Sequence, residues 1–82
     1  MERFVELCWE GALSDVIEAV TRGADVNSVD SDGDSGLMKA VMNSHNHVTE
    51  WLLQQPGIDV SRRNSRGFTA LHLAVLGNNP SG

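Results

Sequence analysis

Cysteine, proline and basic residues are scarce in this chain and tyrosine is absent: one Cys, two Pro and six Lys/Arg stand against eleven Asp/Glu in 82 residues. A lone Cys8 excludes an internal disulfide and suits a reducing compartment or a small buried apolar position. The net charge of −5 argues against general nucleic-acid binding, which draws most of its affinity from neutralising phosphates. That charge is lopsided, with nine acids and two bases in residues 1–34 but two acids and four bases in 35–82. No run of about 18 apolar residues is present, so no segment is expected to span a membrane. Met1-Glu2-Arg3-Phe4 enters a helix-like pattern with acids, unlike a signal peptide. The expected setting is intracellular, in the cytoplasm or the nucleus. A chain of this length forms one small domain, burying roughly 60–65% of its unfolded surface and correspondingly marginal.

What the chain does have is self-similarity. Gly67-Phe68-Thr69-Ala70-Leu71-His72-Leu73-Ala74 reads as a turn glycine, a hydroxyl N-cap and a short helix. Thirty-four residues earlier stands Gly33-Asp34-Ser35-Gly36-Leu37-Met38-Lys39-Ala40, pairing Gly with Gly, Ser with Thr, Leu with Leu and Ala with Ala. At the same offset Gly23-Ala24-Asp25-Val26 returns as Gly57-Ile58-Asp59-Val60. A period in the thirties marks a solenoid, and Thr69-Ala70-Leu71-His72-Leu73-Ala74 matches T-P-L-H-x-A except at its proline. From about Leu7 to Asn79 the chain therefore resembles the ankyrin-repeat family.

The resemblance implies an all-α fold, a solenoid of stacked helix–loop–helix units with projecting β-turn fingers. It divides the single domain, residues 1–82, into repeat 1 at about 2–33, repeat 2 at about 34–66, a partial repeat 3 at about 67–79 and a tail at 80–82. Gly36 and Ala70 stand where the family prefers proline, and Met38 where His72 sits in the next copy. His72 is expected to tie its ring to Thr69 and to a neighbouring repeat.

Along the chain, Glu2 to Glu10 reads as a first helix with Phe4, Val5, Leu7 and Cys8 on its apolar side, broken by Gly11. Leu13 to Thr21 follows, burying Leu13, Val16, Ile17, Ala19 and Val20, and ends at a left-handed Gly23. Residues 24–34, rich in Asp, Asn, Ser and Gly, form a finger. Gly36 to Asn43 is an inner helix with Leu37, Ala40 and Val41 inward. Asn46 is expected to cap an outer helix from about His47 to Gln54, which buries Leu52 and Leu53 and stops at Pro56-Gly57. Residues 58–67 form a second, basic finger carrying Arg62, Arg63 and Arg66.

Catalytic and metal chemistry find little footing. With Gly33 at the sixth place of a calcium loop, Ser28 falls first and Lys39 twelfth, which fails at both ends. His45 and His47 are two apart, pointing about 200° apart on a helix, and a zinc site needs three or four converging ligands. Cys8 falls where the family has a small packing residue and has no base partner to activate it. No phosphate loop and no Ser–His–Asp logic is present. The expectation is a non-enzyme without cofactor or metal.

The resemblance places function on the concave face of fingers and inner helices. The positions the family varies there are Trp9 and Glu10; Val29, Ser31, Asp32, Asp34, Met42 and Asn43; and Arg63, Ser65, Arg66, Phe68 and Leu76. Trp, Met, Phe and Arg are the types enriched at binding interfaces. The expected function is a protein-interaction module, a scaffold or adaptor whose partner is a protein and not a nucleic acid or membrane. The alternative is a recognition arm of a larger ankyrin-repeat protein whose enzymatic or channel activity lies outside this chain. Helix 69–76 lacks an outer helix to cover Leu71, Leu73, Ala74, Val75 and Leu76. This end is therefore expected to continue into further repeats, to self-associate, or to fray over 70–82.

Overall fold

A computed structural model describes residues 3–77, with side chains from 4 to 75. It contains five helices: α1 Arg3–Glu10, α2 Leu13–Thr21, α3 Gly36–Met42, α4 Asn46–Leu53 and α5 Ala70–Gly77. Among the described residues the only strand-like pairing is an isolated antiparallel bridge between Val29 and Ser35. The fold is all-α.

Helices α1, α3 and α5 form an inner row, with α3 packed between the other two, while α2 and α4 lie behind them. The core follows from that order. Phe4, Val5, Leu7 and Cys8 of α1 are all buried, as the apolar stripe requires, and meet Leu37, Met38 and Ala40 of α3 in one cluster. Ala70 and Leu73 extend this cluster into α5, and Val16, Val48 and Leu52 close it from the outer row.

Three helix ends share one device. At Gly11, Gly23 and Ser44 the chain turns left-handed, with φ of 75°, 106° and 59°. Each time the N–H of the following residue bonds a carbonyl five residues back: Ala12 to Leu7, Ala24 to Ala19, His45 to Ala40. These are Schellman ends, and glycine is the residue that adopts them without a Cβ penalty. Ser44 adopts the same geometry with a side chain.

The inner helices start alike. The Met38 N–H bonds Ser35 Oγ at 3.2 Å, and the His72 N–H bonds Thr69 Oγ1 at 3.3 Å. In return the Ser35 N–H reaches Met38 Sδ at 3.4 Å, and the Thr69 N–H reaches His72 Nδ1 at 3.4 Å. Met38 thus replaces His72 as a reciprocal cap, through a thioether that is a weak acceptor. The expected tie between His72 and Thr69 is present, whereas no bond from its ring to another repeat occurs among the described residues.

Several local expectations are corrected. Asn46 does not cap α4: it is the first helical residue, and His45 occupies the cap position without a side-chain bond. In α2 only Val16 is fully buried, because an outer helix has neighbours on one side. Leu53, expected to be buried, is 50% exposed, since nothing in the described residues packs beyond α4 on that flank. Met38, not assigned inward, is 1% exposed because α1 and α5 flank α3 on both sides.

Candidate partner-binding face

The fingers are built from short acceptors that fold the backbone back on itself. Asp30 Oδ1 accepts the N–H groups of Asp32 and Asp34, both at 2.9 Å, and the Asp30 N–H bonds the Asp34 carbonyl at 3.0 Å. Thirty-four residues on, Asn64 repeats all three roles: its Oδ1 accepts from Arg66 and Phe68, and its N–H bonds the Phe68 carbonyl. Asp25 and Asp59 are a second pair, bonding the N–H of Asn27 and Ser61. Short Asp and Asn side chains suit these turns because their oxygen reaches a backbone donor two residues on.

The two fingers are also tied to each other. Asn64 Nδ2 donates to Asp34 Oδ1 at 2.7 Å, and the Ser65 N–H to the Asp32 carbonyl at 3.0 Å. At the finger bases, Asn27 bonds the Gly57 carbonyl through its amide nitrogen and the Asp59 N–H through its oxygen, both at 2.8 Å. The fingers therefore present one continuous edge beside the inner helices.

Lys39, on α3, organises the acidic finger from beneath. Its ammonium lies 3.3 Å from Asp30 Oδ2 and 3.4 Å from Asp34 Oδ2, and 5.4 Å from the centroid of the Trp9 ring. Burial raises the Asp30 carboxyl pKa, but the N–H groups of Asp34 and Asp32 and the Lys39 charge outweigh it and hold the group below its ordinary value. Burial lowers Lys39 in turn, yet its hydrogen bond and attraction to Asp30, with Asp34 adding to both, raise it. Carboxylate oxygens of Asp30, Asp32 and Asp34 lie within 4.8 Å of one another. Lys39 pairs with two of the three, Asp30 and Asp34, and the loop spacing does not follow the calcium pattern.

Cys8 is fully buried, and burial pushes its thiol up to about 12, so it stays protonated and inert at neutral pH. His45 lies against Gly11 and 3.1 Å from the Asn43 amide, while His47 is exposed on α4.

Of the positions expected to face a partner, Trp9 is 42% exposed, and Glu10, Ser31, Asp32, Asn43, Arg63, Ser65 and Arg66 are exposed. Asn43 is nevertheless engaged, donating to the Trp9 carbonyl at 2.8 Å and so pinning α1 to α3 beneath the tryptophan. Val29, Met42 and Phe68 are half-buried, Met42 and Phe68 against the core. Asp34, expected among the exposed positions, is instead 2% exposed, its carboxylate accepting from Asn64 and pairing with Lys39. The side chain of Leu76 lies outside the described residues. Sequence reasoning missed Lys39; its signal was a lone base on an inner helix, five and nine residues after two acids of the finger.

Beside this edge, Phe68, Leu71, His72 and Val75 line an open apolar groove of about 370 Å³. The Phe68 and His72 rings, 5.9 Å apart and inclined at 42°, form its wall. A second groove of about 400 Å³ lies on the other flank of α5, between Val41, Leu53, Leu71 and Ala74.

A family model described as ankyrin repeats (3 copies) matches residues 5–81. An "I-Kappa-B like protein C2" of Microplitis demolitor bracovirus (isolate Webb) is 42% identical over 53 residues, covering 63% of this chain and 29% of that protein. The "Ankyrin repeat and SAM domain-containing protein 6" of Rattus norvegicus is 38% identical over 71 residues, covering 85% of this chain and 8% of that protein. The chain thus spans under a third of the length of either relative. With its period, caps, fingers and family match in agreement, this chain belongs to the ankyrin-repeat family, whose repeats are in general protein–protein interaction modules.

Proposed function

We propose that this chain is a non-catalytic recognition module that docks a protein partner on the face formed by its fingers and inner helices. The observation that carries this reading is Trp9. A large aromatic ring stands 42% exposed on the inner row, held over Lys39 and pinned through its carbonyl by Asn43. Rigid, partly exposed Trp side chains ringed by polar groups are typical anchors of protein interfaces. Arg63, Arg66 and Ser65 extend the face along the second finger, and Asp32 and Ser31 along the first.

The test is capture of binding proteins from intracellular extract by the wild-type chain and by two variant sets. Alanine at Trp9, Arg63 and Arg66 is expected to remove the captured partner. Alanine at Glu50 and His47, exposed on outer helix α4, is expected to leave it. The reverse pattern would contradict the assignment.

A second reading is supported by the lengths of the relatives, of which the chain matches 29% and 8%. In it the same face is the recognition arm of a longer protein whose other activity lies elsewhere. Both readings use one surface.

A further inference from the structure

We infer that the partner segment this face recognises is acidic and apolar: its carboxylates meet the arginines of the second finger, and an apolar side chain enters the groove of Phe68, Leu71 and Val75. This rests on the docking face proposed above and names the chemistry of its occupant.

Composition alone points to a basic partner, since the chain carries −5. On the second finger the unpaired charge has the opposite sign. On the first finger, the buried Asp34 carboxylate holds Asn64 and Lys39, and Asp30 takes two backbone N–H groups and the same ammonium. On the second finger, Asp59 bonds the N–H and hydroxyl of Ser61. Arg62, Arg63 and Arg66 are exposed there, and among the described residues none of their guanidinium groups has an ion-pair or hydrogen-bond partner. Guanidinium forks match carboxylates with two parallel hydrogen bonds, which is the pairing this finger offers.

The groove begins two residues after Arg66, at Phe68. Two extended residues span at most about 7 Å, so one short segment can meet the guanidinium and the groove together. Helix α5 bears no charged residue, and its Leu71 and Val75 are 73% and 67% exposed. A helix without a charged face is built to be covered. A nucleic acid would engage the arginines but would leave this apolar helix wet, with Leu71 and Val75 uncovered.

Fluorescence anisotropy on the full chain tests this with three fluorescein-labelled probes: an alternating Glu–Leu peptide, its Gln–Leu counterpart and oligothymidylate. The Glu–Leu peptide is expected to bind about tenfold or more tightly than the Gln–Leu peptide, and to weaken with added salt. Arg63→Gln with Arg66→Gln is expected to erase that difference. Leu71→Gln with Val75→Gln is expected to weaken binding without altering the far-UV circular dichroism, because both side chains are exposed. Equal binding of the Gln–Leu peptide, an unchanged arginine variant, tighter binding of oligothymidylate, or no binding of the Glu–Leu peptide would each overturn the inference. Partner capture lost with Trp9→Ala but kept in the arginine variant removes this inference and leaves the docking face standing. Capture kept in both removes the two together.

Discussion

A Cβ placed on Gly36 would lie 2.7 Å from Cys8 Sγ and 2.9 Å from Phe4 Cε2, closer than such atoms approach. This contact between α3 and α1 explains a departure from the family pattern. Proline suits the first position of a helix, but here its ring would meet the thiol and the phenyl ring of the preceding inner helix. The larger residue at position 8 and the absent side chain at 36 are two halves of one packing solution.

Gly36→Ala is therefore expected to destabilise the chain by roughly 1–3 kcal/mol despite the better helix propensity of alanine. Cys8→Ala in the same chain removes the nearest obstacle and is expected to recover part of the loss, with Phe4 limiting the rest. A double-mutant cycle by urea unfolding measures the coupling. Strict additivity would contradict the contact.

Ser44 carries a Cβ at φ 59°, in the geometry that Gly11 and Gly23 serve elsewhere. Ser44→Gly is expected to stabilise by about 0.5–1 kcal/mol, because relief of the left-handed penalty outweighs the added freedom of the unfolded chain. A thermal melt reads this as a higher Tm. Gly11→Ala is expected to do the opposite, since its Cβ would collide with the His45 ring.

The fold was largely legible because its signals are local and repeated. Gly11 and Gly23 could be read as helix ends, and Ser35 and Thr69 as caps, from residue type and spacing. Asn46 misled, because the Schellman end at Ser44 already directs the chain into α4 and leaves the cap position to His45. The face was half legible. Trp9, Arg63 and Arg66 are exposed as expected, but Asp34 looked like its neighbours in sequence while its partners, Asn64 and Lys39, come from other elements. Neither that burial nor the place of Lys39 under Trp9 is a local property.

Acid and alkali should act on the same ion cluster from opposite sides. Asp30 is held below its ordinary pKa in the folded chain, so its stabilisation is full above the unfolded carboxyl value of about 3.9 and is lost as pH falls through the lower folded value. Lys39 is raised, so its contribution is full below about 10.4 and is lost as pH rises through the higher folded value. Urea midpoints across pH should fall at both ends. In Lys39→Met the alkaline fall is expected to shrink, and an unchanged alkaline limb would contradict the role given to Lys39.

Core and rim leucines should separate sharply. Leu37 is 1% exposed and central to α3, so Leu37→Ala is expected to cost about 2–5 kcal/mol through the cavity it leaves. For a domain with a total of about 5 kcal/mol, that approaches unfolding. Leu71 is 73% exposed, and Leu71→Ala is expected to stay within about 0.5 kcal/mol of wild type. Chemical denaturation of the two variants checks both figures.

The central claim is that the partner docks on the fingers and inner helices, and amide hydrogen exchange of the chain with and without a captured partner tests it most directly. Added protection is expected over residues 28–34 and 62–69, with α4, residues 46–53, unchanged. Protection confined to α2 and α4, with both fingers exchanging as in the free chain, would contradict it.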